Sequence, residues 1–79
     1  MPLSKFIAID QDYDVVETKE FVFREESIGY LKERFEKERD ALSKNNEDII
    51  EEYIDTETGV AKLFYEDNGE ILGYAMYAI

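Results

Sequence analysis

The apolar positions near the N-terminus form short stretches of the kind found in β-strands. Residues 5–9 combine apolar and β-branched side chains and predict a first strand. The polar stretch Asp10–Asp14 is typical of a turn. A second strand lies within Val15–Arg24, and the pattern places it best at Lys19–Arg24. The two strands are expected to form an N-terminal hairpin.

The middle of the chain changes to a helical period. Four apolar residues spaced by three, four and seven positions share one stripe of a helix: Ile28, Leu31, Phe35 and Leu42. Ser27 is a plausible N-cap, with Glu25 and Glu26 beside the positive end of the helix dipole. Asn45-Asn46 is a plausible end, because Asn tolerates the left-handed backbone conformation.

Residues 47–55 fit two interpretations. Ile49, Ile50, Tyr53 and Ile54 fit one face of a helix. Residues 55–59, however, carry a strong turn signal and precede a β-like stretch from Val60. A hairpin across this turn would make residues 48–55 a strand, which is the interpretation we prefer.

The clearest hairpin signal lies near the C-terminus. Asn68-Gly69 is a preferred pair for a type I′ turn, and it joins Leu63–Glu66 to a returning strand, Glu70–Ala78. The predicted order is therefore ββαβββ in a single domain over residues 1–79. We expect an α+β fold in which one main helix covers one face of an antiparallel sheet of four to five strands. The other sheet face is left to water or to a partner.

Three segments of the chain also differ in net charge. The 79 residues hold 20 acidic and 9 basic side chains, for a formal net charge of −11. Residues 1–24 have a net charge of −2, residues 25–44 of −1 and residues 45–79 of −8. This excess argues against direct nucleic-acid binding and against anionic membranes, because both need basic side chains. It favours a partner with a basic face.

The residue types limit the catalytic and metal-binding chemistry that the chain can perform. The absence of His and Cys removes the usual neutral-pH base, the thiolate nucleophile and Cys-type zinc sites. Asp10, Asp12 and Asp14 imitate the start of an EF-hand loop, but Val15 and Phe21 occupy the positions that need Gly and Glu. The glycine spacing matches no phosphate-binding loop. We therefore expect no cofactor, no metal and no enzymatic activity.

Two further expectations concern location. The longest apolar run, Ile71–Ile79, is far shorter than the roughly 20 residues of a membrane span. The first residues lack the apolar core of a signal peptide. A cytoplasmic protein without a membrane segment is expected, in agreement with the lack of Cys.

The C-terminal hairpin resembles part of the central hairpin of the GNAT acetyltransferase family. The matching residues are Asn68-Gly69-Glu70-Ile71-Leu72-Gly73-Tyr74-Ala75. The resemblance covers about 17 residues, Leu63 to Ile79, and does not include the pyrophosphate-binding loop of that family. It therefore does not imply acetyl-CoA binding.

The candidate binding surface combines carboxylates from the acidic segments with tyrosines of the predicted strands. Carboxylates can replace phosphates against an Arg- and Lys-lined groove, and tyrosines suit interface cores. The candidate partner-binding residues are Asp10, Asp12, Asp14, Glu47, Asp48, Glu51, Glu52, Tyr53, Asp55, Glu57, Tyr65, Glu66, Asp67, Glu70, Tyr74 and Tyr77. The alternative explanation is that the charge serves solubility alone.

In size, acidity and absence of cofactor motifs, the chain is similar to the small acidic inhibitors of bacteriophages, the anti-CRISPR and anti-restriction proteins. That resemblance implies an inhibitor that occupies the basic, nucleic-acid-binding face of a target protein. It maps no functional residue onto this sequence, because the group shares no motif. The second hypothesis is a structural or regulatory homo-oligomer that pairs through the open sheet face or an edge strand.

Overall fold

A computed structural model describes residues 4–79 as one helix packed on one five-stranded antiparallel sheet. The elements are β1 (Ser4–Asp10), β2 (Val15–Phe21), α1 (Arg24–Lys44), β3 (Asp48–Asp55), β4 (Val60–Asp67) and β5 (Glu70–Ala78). The strand order is β2-β1-β5-β4-β3, so β5 is central and β2 and β3 are the edges. The predicted α+β fold and the order ββαβββ are confirmed, and residues 48–55 form a strand.

The core lies between α1 and one face of the sheet, here called the covered face. Leu31, Phe35 and Leu42 of the predicted helical stripe are buried there, and Ile28 is half-buried beside them. The strands contribute alternate residues, as a half-buried sheet requires. These buried strand residues are Phe6, Ala8, Ala61, Leu63, Met76 and Ala78.

The second strand begins earlier than the pattern places it. The β2 strand spans Val15–Phe21 rather than Lys19–Arg24. The reason is the tight loop closed by the Asp10 carboxylate, whose Oδ1 accepts the backbone N–H groups of Asp12 at 2.9 Å and Asp14 at 3.0 Å. The chain has therefore reversed by Val15, which pairs with Ile9.

The start of α1 also differs from the expectation. Phe23, not Ser27, is the N-cap residue. The Glu26 carboxylate reaches back and accepts the Phe23 backbone N–H at 3.2 Å, so the cap does not need a polar residue at its own position. Ser27 lies inside the first turn, fully buried, and its hydroxyl has no hydrogen-bond partner within residues 4–79.

The predicted turns are present with the backbone angles that their residues favour. Asn46 adopts φ +56° after the helix, and the following Glu47 N–H donates to the Leu42 carbonyl at 3.0 Å. Asn68 and Gly69 have φ +52° and +83°, as a type I′ turn requires. Gly59 closes the β3–β4 hairpin with φ +76°.

Candidate protein-interaction surface

Most of the candidate carboxylates gather at one end of the sheet, here called the acidic end. It is built from the β1–β2 loop, the start of β3 and the β4–β5 hairpin. The cross-strand pairs Asp48–Glu66 and Asp67–Glu70 place these acidic residues on neighbouring strands. The acidic end consists of Asp10, Asp12, Asp14, Glu47, Asp48, Glu66, Asp67 and Glu70.

The other four candidate carboxylates lie elsewhere. Glu51 and Glu52 lie along the edge strand β3, on opposite faces of the sheet. Asp55 and Glu57 lie in the turn at the far end of the β3–β4 hairpin, where Arg24 donates to the Glu57 carbonyl at 3.1 Å. The Asp55 carboxylate accepts the Glu57 N–H at 2.9 Å, and this hydrogen bond lowers the pKa of Asp55. Asp55 therefore has a local role in the turn.

No ion pair within residues 4–79 neutralises the acidic end. Within residues 4–79 the ion pairs are Arg34 with Glu17, Arg34 with Glu38, and Arg39 with Asp40, and none involves the acidic end. Its field reaches the half-buried Tyr65. Burial raises the pKa of the Tyr65 hydroxyl, and the nearby Tyr74, Glu47 and Asp67 raise it further.

The four candidate tyrosines divide between the two faces of the sheet. Register places Tyr53 and Tyr77 on the face away from α1, here called the open face. Tyr65 and Tyr74 lie on the covered face, where both are half-buried against the core. Of these four tyrosines, Tyr53 and Tyr77 are therefore the two available to a partner approaching the open face.

A groove on the open face borders the acidic end. Its apolar lining comes from three strands and the β1–β2 loop and comprises Ile9, Tyr13, Phe64, Ile71, Ala75 and Tyr77. Asp10, Gln11 and Asp12 form its polar wall. Sequence reasoning selected Tyr77 but missed Tyr13, Phe64 and Ile71, because the strand order that joins these residues cannot be inferred from alternation alone.

Gly73 lies buried in β5, opposite Phe64 of the groove lining. It has φ +147°, and a Cβ at this position would lie 2.1 Å from the Leu63 carbonyl oxygen and 2.9 Å from Cδ1 of Phe64. The strand β1 ends opposite Tyr74, so Gly73 has no partner in β1. Its N–H donates instead to the Gln11 side chain at 3.3 Å, which holds the β1–β2 loop against β5.

Tyr13 stands at the tip of that loop. It has φ +65°, a left-handed conformation that is uncommon for an aromatic residue, and it is 88% exposed. Its N–H donates to the Asp10 carbonyl at 3.1 Å. The only signal in the sequence was an aromatic residue within a polar turn.

Two kinds of site are absent from the part of the chain that the structure describes, a metal-ion cluster and a membrane-spanning helix. No group of three or more acidic side chains in residues 4–79 is arranged to hold a metal ion. The helix α1 lacks the apolar length that crossing a bilayer requires, and no other helix is present in these residues.

Comparison with known proteins identifies no relative. No family model matches the chain, and no curated protein or solved structure is significantly similar to it.

Proposed function

We propose that this protein is a binding module that occupies the basic, nucleic-acid-binding face of another protein, in the manner of the phage-encoded inhibitors that it resembles. The observation that carries the proposal is the acidic end: eight carboxylates, without ion pairs in residues 4–79, beside an exposed apolar groove. Self-repulsion of this charge opposes folding, so a function that needs the field explains why the charge is concentrated. The lack of Cys is compatible with action in a reducing cytoplasm.

The chemistry of the acidic end suits such a target. Carboxylates accept bidentate hydrogen bonds from Arg much as phosphates do. An uncompensated negative field also accelerates encounter with a basic surface, and added salt weakens that steering. The partner-binding surface would comprise the acidic end, Glu51 and Glu52 on the β3 edge, and the tyrosines of the open face.

The apolar open face also supports a second candidate, a homo-oligomer that buries this face against another copy. Ile71 is 58% exposed and Tyr53 is 47% exposed, so the face has apolar area to offer. Two copies with net charge −11 would repel each other, however, with their acidic ends beside the interface. Sedimentation equilibrium at low and high salt distinguishes the two candidates.

Competition with nucleic acid tests the first candidate. A labelled DNA duplex is bound to each member of a panel of restriction and RNA-guided nucleases, and its release is followed by fluorescence anisotropy as this protein is added. We expect release from at least one nuclease at low salt and weaker release at high salt. No release from any member, together with a stable dimer in sedimentation, would contradict the proposal.

Two triple variants with the same net charge test whether binding depends on the charge of the acidic end or on the net charge of the whole protein. The first carries Glu66→Gln, Asp67→Asn and Glu70→Gln at the acidic end. The second carries Glu33→Gln, Glu36→Gln and Asp40→Asn on the exposed surface of α1. We expect the first variant to require at least about tenfold more protein for release and the second to behave as the wild type. Equal losses would mean that only net charge matters.

A further inference from the structure

We infer that the groove on the open face receives a single large apolar side chain of the partner, flanked on the partner by Lys or Arg, and that Tyr13 is the residue that anchors it. This inference rests on the proposed function and specifies the chemistry of the partner. The groove would add a specific apolar contact to the electrostatic attraction of the acidic end.

The groove has the size and lining for this task. Its volume is about 360 Å³, within the range of sites that hold organic ligands. Phe64 lies across from the buried Gly73, where the absence of a side chain lets the β4 backbone and the Phe64 ring approach β5 closely. Ile9 and Ala75 pair across β1 and β5 and continue the apolar floor.

Tyr13 has the properties of an interface anchor. A left-handed conformation is unfavourable for an aromatic residue, and here the loop hydrogen bonds of Asp10 hold it in place. The ring gains little burial in return, since the residue is 88% exposed. Backbone strain that no contact within the isolated molecule offsets is typical of binding sites. Tyrosines are also frequent hot spots of interfaces.

The surrounding charge selects among possible occupants. Asp10 and Asp12 line the groove, and register places Glu51 opposite Phe64 and Glu66 opposite Ile71 on the same face. These carboxylates disfavour an anionic ligand and a second copy of this chain. They are complementary to an apolar side chain between basic residues.

Two cations, Lys5 of β1 and Lys62 of β4, share the open face by register, and neither lines the groove. Lys62 pairs across the strands with Ala75 and Tyr53, towards the edge strand β3. The groove lining itself contains two carboxylates and no Lys or Arg. A basic segment can therefore lie along the groove with its apolar residue inserted between Tyr13 and Phe64.

Two synthetic pentapeptides test this inference. One has two arginines on each side of a tryptophan, and the other has serine in place of the tryptophan. Each peptide is titrated into the isotope-labelled full chain at low salt and followed by NMR. We expect the tryptophan peptide to bind about tenfold more tightly and to shift the amide signals of Tyr13, Phe64 and Ile71, while the serine peptide shifts only the acidic end.

Variants on the same face supply the controls. Tyr13→Ser should remove the preference for tryptophan without changing the affinity for the serine peptide. Ile71→Ser should reduce the preference independently, and Val22→Ser, at an exposed apolar residue outside the groove and the partner-binding surface, should leave it intact. NMR spectra of the unbound variants establish that each is folded.

The outcomes separate the two proposals. If both peptides bind with equal affinity and the groove signals do not move, the groove inference is wrong and the acidic-end proposal stands. If neither peptide binds at low salt, the acidic end does not recruit basic segments, and both proposals fail.

Discussion

The two faces of the sheet are built from similar residues but differ in what covers them. The covered face places Phe6, Leu63 and Met76 against α1, and all three are buried. The open face carries Phe64 and Tyr77 at neighbouring positions of the same strands, and both remain half-exposed. Apolar character alone therefore does not distinguish the interior of this protein from its surface.

The central strand β5 is apolar on both faces but covered on only one. A nearly continuous apolar run, as in Ile71–Ala78, is typical of a strand buried on both faces. In residues 4–79 one helix is available, and it covers only one of the two faces. The open face of β5 therefore leaves apolar side chains such as Ile71 at the surface, whereas the β3 edge beside it carries acidic residues that discourage edge-to-edge pairing.

The largest expected effect compares phenylalanines on the two faces. Phe6→Ala should lower the free energy of unfolding by about 3–5 kcal/mol, because it opens a cavity under α1. Phe64→Ala should cost about 1–2 kcal/mol, since its ring is only partly removed from water. Urea denaturation of both variants measures the difference. Equal losses would mean that the open face is as important to folding as the covered face.

The next effect concerns the shape of the open face. Gly73→Ala should destabilise the protein by roughly 2–3 kcal/mol, because φ +147° is strained for any other residue and the new Cβ would meet the Leu63 carbonyl. Thermal unfolding measures the loss. Gly29→Ala is the control, since a Cβ at Gly29 in α1 meets nothing within 4 Å, and this variant should be slightly more stable. A neutral Gly73→Ala would show that the β4 backbone can move away from the new Cβ.

A smaller effect tests how α1 is held over β2. The Tyr30 hydroxyl donates to the Glu17 carboxylate, which also pairs with Arg34 at 3.0 Å. Tyr30→Phe should cost about 1 kcal/mol, because these groups are partly exposed. An unchanged free energy of unfolding would mean that this contact does not help to hold the helix over the sheet.

The same tyrosine predicts a loss of stability in alkali. The hydrogen bond to Glu17 raises the pKa of Tyr30 above its ordinary value of 10.0, and burial adds to the shift. The stabilisation is complete below the ordinary pKa and is lost as pH rises through the higher pKa of the folded state. Unfolding measured from pH 8 upwards should therefore show a shallower decline in Tyr30→Phe than in the wild type. Parallel curves would contradict this assignment.

The smallest effect tests whether the buried hydroxyl of Ser27 has a hydrogen-bond partner in water. Ser27 is fully buried in α1, and its hydroxyl has no partner within residues 4–79. Ser27→Ala should raise the free energy of unfolding by about 0.5–1 kcal/mol, because it removes an unsatisfied polar group and favours the helix. Chemical denaturation measures the gain. A loss of stability instead would show that the hydroxyl has a partner when the protein is in water.

Local signals predicted most of the fold. Asn68-Gly69 and Asn45-Asn46 marked turns whose backbone angles only a few residue types adopt, and the spacing of Leu31 and Phe35 marked the buried stripe of α1. The start of α1 escaped prediction because Glu26 caps it from within the helix, three residues after Phe23. The start of β2 was misplaced because the carboxylate of Asp10 tightens the loop before it.

The sequence by itself determined the order of the elements, the residues of the core stripe and the surplus of negative charge, because these depend on periodicity, turn chemistry and composition. Tertiary structure alone decided which carboxylates share one end of the sheet, which tyrosines face away from α1, and that Tyr13 and Phe64 line the same groove. The physical reason is register. A shift of one residue would move every side chain of a strand to the other face, and the strand order brings together residues more than 50 positions apart.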